Sequence, residues 1–384
     1  MILKEYKERY TKYINHYKAE HVNPWHKISE ANLNEIYNNL VERMDIKNEF
    51  DFSYLMNYIL KIISGKSDAH TIYTYYSPLP INFRIFGNRV FINYPENYNK
   101  SELLSINGIE TARIILELDE VLTFGTEGKR RFELEKAFSN RFQLFSIPSL
   151  KDFDVMVFKY KTLINGDIKE IKLNKNIKYG MEAHNQRINE QYGKTSTYKI
   201  IDNCLIYNHN SSKQMYIEKT KASIEKIKNT NLDNINSIII DLRGNTGGTS
   251  KANDDLINYL KTVNKNKIIC LTDYRVFSAG RYALNDLINL GATTIGEEIS
   301  TPMNCYGNCN WIKNDYFASS NAYFNPVLGW NALSKEEYNQ GVQDKYIKPI
   351  IFKPDILVNE KLEDYLENKD IILEQAIKYS KNFK

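Results

Sequence analysis

Ser237-Ile-Ile-Ile-Asp-Leu-Arg-Gly-Asn-Thr-Gly-Gly-Thr-Ser250 begins as a short apolar run and ends in a glycine-rich turn, with Thr249 or Ser250 placed to cap a following helix. The run predicts a buried strand from Ser237 to Leu242. A second block has the same grammar: Ile268-Ile-Cys-Leu-Thr-Asp-Tyr-Arg-Val-Phe-Ser-Ala-Gly-Arg-Tyr-Ala-Leu284 gives a strand, a short turn and a helix whose Ala283, Leu284, Leu287 and Ile288 form an apolar face. Around these blocks the pattern predicts a strand from Lys199 to Tyr207, helices from Ser211 to Asn229 and from Ser250 to Val263, and a strand from Lys267 to Leu271. Strands that alternate with amphipathic helices place this part of the chain in the α/β class.

Upstream the pattern changes. Leu33, Ile36, Tyr37, Leu40 and Val41, and then Leu55, Tyr58, Ile59, Ile62 and Ile63, recur at helical spacing and predict an N-terminal helical region over residues 1–70. Between 71 and 175, β-like runs at Arg89–Asn93, Glu102–Ile106 and Val155–Thr162, the last leading to an Asn165-Gly166 hairpin signal, predict a small β-rich module. Its strand and Asn107-Gly108 turn before a helix at Ala112–Leu122 suggest a PDZ-like, peptide-binding unit. Lys175 to Thr197 is polar and without periodicity, and reads as a linker, an active-site flap or an exposed loop. The α/β core is expected over 176–384, and no internal repeat is present.

The chain has 384 residues, 42% hydrophobic and 26% charged, with 9 prolines and 17 glycines, which excludes disordered, collagenous and low-complexity classes. Its 51 basic and 47 acidic residues are mixed along the sequence, so no basic stripe is available to follow a phosphate backbone and nucleic acid is not an expected partner. Residues 1–20 lack the apolar core of a secretory signal, and no run approaches the ~18 uninterrupted apolar residues of a membrane helix. A soluble, cytoplasmic protein is the expectation. Cys204, Cys270, Cys305 and Cys309 make no disulfide framework, which fits a reducing compartment; Cys305 and Cys309 have no second Cys or His pair nearby, so neither metal nor cofactor is expected. The 28 tyrosines are scattered and carry no functional expectation.

Three places can carry chemistry. Gly247 and Gly248 let backbone N–H groups turn toward an anion beside a helix N-terminus, and the spacing fits neither a Gly-x-x-x-x-Gly-Lys loop nor a Gly-x-Gly-x-x-Gly loop, so the block reads either as an oxyanion hole or as a tight strand-to-helix turn with no chemistry. Ser278 falls at the start of the second helix, where a hydroxyl either caps the helix or lies near its orphan N–H groups, which would stabilise an oxyanion. His70, in Asp68-Ala-His-Thr71, stands where helical sequence gives way to β.

Taken in order, these blocks resemble the serine peptidases of the C-terminal processing (tail-specific) protease family, including its tricorn-core and retinoid-binding-protein branch. Asp68-Ala-His-Thr71 is similar to the family's Asp-x-His-Thr segment, Asp241-Leu-Arg-Gly-Asn-Thr-Gly-Gly248 to its Asp-Leu-Arg-x-Asn-x-Gly-Gly loop, and Phe277-Ser-Ala279 to its nucleophile segment. Ile295-Gly-Glu297 resembles the strand end that follows, and Lys353-Pro-Asp-Ile-Leu-Val358, with the helix after Asp364, resembles its closing segment. The likeness covers roughly residues 30 to 380.

The resemblance implies a crotonase-like α/β core of repeated strand-helix units, with a PDZ-like insert and an N-terminal helical piece. Ser278 would be the nucleophile, and the N–H of Gly247 or Gly248 with that of Ala279 the oxyanion hole. The base of the tail-specific branch is a Lys downstream of the Ser, but here the corresponding segment, Gly296-Glu-Glu-Ile-Ser-Thr-Pro-Met-Asn304, has none. That turns the expectation toward the tricorn-like arrangement, with His70 as base and a carboxylate from Glu336, Glu337 or Asp344 to orient it, Asp344 lying nearest the closing segment. The expected partner is a peptide or unfolded polypeptide substrate. The alternative is a protein of the same fold that holds peptide tails or apolar ligands without cutting them.

Overall fold

The computed structural model describes residues 2–65, 68–230, 232, 234–263, 268–326, 333–341 and 349–382. Their backbone forms two compact units, residues 1–187 with 304–350, and residues 188–303 with 351–384.

The first unit opens with the helices α1 (Ile2–Glu20), α2 (Glu30–Arg43) and α3 (Glu49–Ser64). Ser29 and Asn48 cap α2 and α3 through their side chains. Tyr10, Tyr13 and Tyr17 recur on one face of α1 and are buried, Tyr10 stacked on Tyr37 and Tyr13 on Phe317. Strand β1 (Ile72–Tyr73) pairs antiparallel with β14 (Phe317–Phe324), whose other neighbour is β13 (Cys305–Trp311). The segment 304–350, expected within the α/β core, therefore belongs to the unit of the N-terminal helices. Helix α11 (Lys335–Gly341) follows the hairpin.

The β-rich part of this unit is a sheet ordered β2-β3-β4-β6-β7, built from Asn82–Phe86 (β2), Arg89–Tyr94 (β3), Glu102–Ile106 (β4), Val155–Lys161 (β6) and Ile168–Asn174 (β7), with β5 (Ile109–Glu110) paired to β4. Asn107 and Gly108 both take positive φ at the β4–β5 turn, as does Gly166 in the β6–β7 turn, where the hairpin signals lie. Helices α4 (Thr111–Val121), α5 (Glu127–Phe138) and α6 (Arg141–Leu144) share one apolar core with the sheet through Ile114, Leu118, Leu134, Phe138 and Phe142. Within the stretch Lys175 to Thr197, α7 (Glu182–Tyr192) is a helix that the sequence reading missed, because its polar residues show no apolar stripe.

The second unit is a sheet ordered β15-β12-β11-β10-β9-β8: Thr197–Ile201 (β8), Cys204–Asn208 (β9), Ser237–Asp241 (β10), Ile268–Thr272 (β11), Thr293–Gly296 (β12) and Ile356–Leu357 (β15). All neighbours are parallel except β8, which pairs antiparallel with β9. The single strand expected from Lys199 to Tyr207 is therefore a hairpin, turning at Asp202 and Asn203, both at positive φ. Helices α8 (Ile217–Lys228), α9 (Asp254–Leu260) and α10 (Ala279–Asn289) connect strands that step in one direction, so right-handed crossovers put them on one face. The short α12 (Leu362–Leu366) leads to α13 (Ile371–Ser380), whose Ile372 and Ala376 pack on Ile206, Ile239, Ile269, Leu271 and Ile295, the other face. β10 and β11 are buried at every residue, as strands covered on both sides must be. Asp355 clasps the sheet edge, accepting from the N–H and hydroxyl of Thr294 and donating its own N–H to that hydroxyl. No helix among the described residues is long and apolar enough to cross a membrane.

Candidate active site

In the second unit the candidate residues lie on two turns at the C-terminal ends of β10 and β11. The first turn is held by its own charges. Asp241 accepts from the N–H and guanidinium of Arg243, which also reaches Asp370 at the start of α13. The second turn is tied to the first. Asp273, after β11, accepts the N–H groups of Gly244 and Arg275, and Phe277 donates its N–H to the carbonyl of Asn245. Burial works to raise the Asp273 pKa, but the Arg275 charge and these N–H groups outweigh it and keep the carboxyl below its ordinary value.

Ser278 follows with φ 50° and ψ −123°, a conformation that costs a non-glycine residue ~1–3 kcal/mol. It occupies the cap position of α10, yet its side chain makes no capping hydrogen bond. A strained serine between strand and helix is the geometry that presents the nucleophilic hydroxyl in α/β-hydrolases. Gly247 packs against it, with φ 95°; a Cβ there would come within 2.5 Å of the Ser278 Cβ and 2.7 Å of the Ala279 nitrogen. Only glycine fits.

The oxyanion candidates separate on their hydrogen bonds. The N–H of Gly247 donates to Asn245 Oδ1, 3.0 Å away, and is already committed. Among the described residues, the N–H groups of Gly248 and Ala279 meet no acceptor. These two are the donors available to a developing oxyanion.

Beneath the turns lies a buried polar network that no sequence motif announced. Ser212 bonds Asn245 and Asn253; Asn253 donates to the carbonyl of Ala279 and faces His209 Nε2 at 2.8 Å. Asn245 also donates to the His209 carbonyl. The side chains of Asn245 and Asn253 thus fix the loops that carry Gly248 and Ala279. His209 is fully buried, and burial lowers its pKa, so the ring is neutral.

In the first unit, His70 lies just before β1. Its Nδ1 faces the carbonyl of Tyr306 on β13 at 3.2 Å, which fixes the proton on Nδ1 and leaves Nε2 as the basic nitrogen. Asp68, fully buried, accepts the N–H groups of His70 and Thr71 and the hydroxyl of Ser320 on Oδ1, and His21 Nε2 on Oδ2. Burial alone would raise its pKa; the hydrogen bonds from His21, Ser320 and Thr71 prevail and hold it far below the usual carboxylate range.

The carboxylates expected to orient His70 fare differently. Asp344 lies outside the described residues. Glu336 and Glu337 are exposed on the first turn of α11, and Glu337 accepts the N–H of Ser334, capping its own helix. Among the described residues, the carbonyl of Tyr306 meets the His70 ring. Gly280 and Arg281, which follow the serine, are structural: a Cβ on Gly280 would strike the Asn245 carbonyl, and the buried guanidinium of Arg281 donates to the carbonyl of Pro302. Among the described residues, no group of three or more His, Cys, Asp or Glu is placed to hold a metal ion.

No protein-family model and no curated protein matches the sequence. Among solved structures, mature CPAF complexed with lactacystin is similar over 99% of both chains, with a TM-score of 0.65 and 9% identity. A second structure of mature CPAF gives a TM-score of 0.57 and 10% identity over 99% of this chain and 97% of that one. The chain has the fold of these proteins.

Proposed function

We propose that this protein is a serine peptidase of the tail-specific protease kind, acting on peptides or unfolded polypeptide. The observation that carries the reading is Ser278, held at φ 50° with a hydroxyl not spent on capping, next to two N–H groups that meet no acceptor among the described residues. Ser278 Oγ attacks the scissile carbonyl carbon while its proton passes to His70 Nε2. The Gly248 and Ala279 N–H groups take the oxyanion. The C–N bond then breaks, His70 returns the proton to the leaving amine, and water, activated by the same ring, hydrolyses the acyl-enzyme. The Tyr306 carbonyl keeps the imidazole in the tautomer this needs, and Asp68 holds the main chain that carries it.

In this reading the second unit is the crotonase-like core, the sheet from β2 to β7 is the PDZ-like module, and Asp344 is the carboxylate to be tested beside His70. The fold shared with mature CPAF supports the architecture, and lactacystin, carried by one of those structures, is a ligand to try. The test is incubation with an unfolded polypeptide mixture, with products read by mass spectrometry. Time-dependent cleavage that Ser278→Ala and His70→Ala abolish while remaining folded supports it. Peptides bound and recovered uncut favour the non-cleaving alternative, and residual activity within about twofold in Ser278→Ala sinks the assignment.

A further inference from the structure

We propose that the buried pair His21–Asp68 positions the base, so that the residue just beyond α1 is part of the catalytic apparatus. The inference rests on reading Ser278 and His70 as nucleophile and base. His21 and Asp68 have no accessible side-chain surface. Through one carboxylate, Asp68 holds the main chain of His70 (3.3 Å) and Thr71 (3.0 Å), the hydroxyl of Ser320 on β14 (2.6 Å) and His21 Nε2 (3.1 Å). Asp68 also forms a parallel β-bridge with Tyr306, the residue whose carbonyl orients the His70 ring. The same residue therefore fixes the backbone that carries the base through its carboxylate, and meets the strand that aims it through its main chain.

His21 holds the far oxygen. Its Nδ1 accepts the N–H of Asn23 at 3.0 Å, so its proton is on Nε2 and points at Asp68. The ring stacks on His26 and lies against Tyr17 and Tyr306, packing that an apolar ring would reproduce. What only a donor at this place supplies is the hydrogen bond. Without it a buried carboxylate oxygen is left unpaired, and the carboxylate must turn to recover a partner at the expense of its bonds to His70 and Thr71.

The test uses the full chain with His21→Phe, which keeps the packing and removes the donor, and His21→Gln, whose amide nitrogen stands where Nε2 was. Two readouts are taken: the pH profile of Ser278 labelling by a fluorophosphonate, and the ¹⁵N-histidine spectrum of His70, which reports its tautomer without activity. The expected result is a ~10- to 100-fold slower labelling of His21→Phe with a displaced inflection, and a His70 signal that changes from Nδ1–H to mixed tautomers. His21→Gln restores both. Should His21→Phe not fold, Ser320→Ala, which removes another donor from the same carboxylate, is expected to disturb the His70 signal in the same direction. An unchanged inflection and tautomer in the folded variant overturns the proposal. If the wild type itself is not labelled, the reading of Ser278 fails separately, and the tautomer still decides whether His21 and Asp68 position His70.

Discussion

Strands β9 to β12 of the second unit follow one another in sequence and in space, each joined to the next by a helix, whereas in the first unit Ile72 of β1 pairs with Ala318 of β14 and His70 is oriented by the carbonyl of Tyr306. The turns around Ser278 are thus assembled from two adjacent strand-helix repeats whose own residues hold them: Asp241 with Arg243, Asn245 with Gly247, Asp273 with Gly244. The surroundings of His70 come instead from the end of α1, the turn after α3 and a hairpin near the other end of the chain. A self-contained turn tolerates distant change. A composite one does not.

The largest effect that can break this contrast is expected at Phe317, fully buried on β14 and stacked on Tyr13. Phe317→Ala is expected to cost ~3–5 kcal/mol, and hydrogen exchange should rise in α1 together with the hairpin. Loss of protection in the hairpin alone would mean that the first unit is not one cooperative assembly.

Gly247→Ala tests the other side. The added methyl, 2.5 Å from the Ser278 Cβ, is expected to cost ~1–3 kcal/mol and to slow fluorophosphonate labelling ~100-fold, with exchange changes confined to the β10 and β11 turns. A change spreading into the helices of the first unit would contradict a self-contained turn.

A smaller effect concerns His209. In the unfolded chain it takes up a proton as pH falls through ~6.5, whereas burial keeps the native ring neutral to lower pH. The unfolded state then binds more protons, so stability falls as pH drops below ~6.5 and is insensitive to His209 above it. His26, lowered by burial too, acts in the same direction. Denaturation midpoints across this range should show a slope reduced by up to one proton, ~1.4 kcal/mol per pH unit, in His209→Gln. An unchanged slope would remove His209 from the account. The smallest effect is expected at Glu337, which caps its own helix: Glu337→Gln should label within about twofold of wild type.

The same contrast explains what could be read from the residues alone. The turn from Asp241 to Gly248 is contiguous, so its glycines and charged partners appear together in the sequence, and the α/β alternation around it is local. Ser278 and His70 could be singled out, but the choice between Gly247 and Gly248 needed the position of the Asn245 side chain. The carbonyl of Tyr306 beside His70 leaves no trace in residue identity, and Asp344 lies outside the described residues. His21 was equally silent, since its role depends on Asp68 and Ser320 coming together from far along the chain. The hairpin at Asp202-Asn203 did carry a turn signal, which the continuous apolar run into β9 concealed.

The most direct measurement is the labelling of the full-length protein by a fluorophosphonate, in which an activated serine oxygen displaces fluoride from phosphorus, with the adduct located by mass spectrometry in wild type, Ser278→Ala and His70→Ala. The account predicts one adduct per chain on Ser278, absent from Ser278→Ala and lost or slowed by ~100-fold or more in His70→Ala. Labelling at another residue, or undiminished labelling of Ser278 without His70, would contradict it.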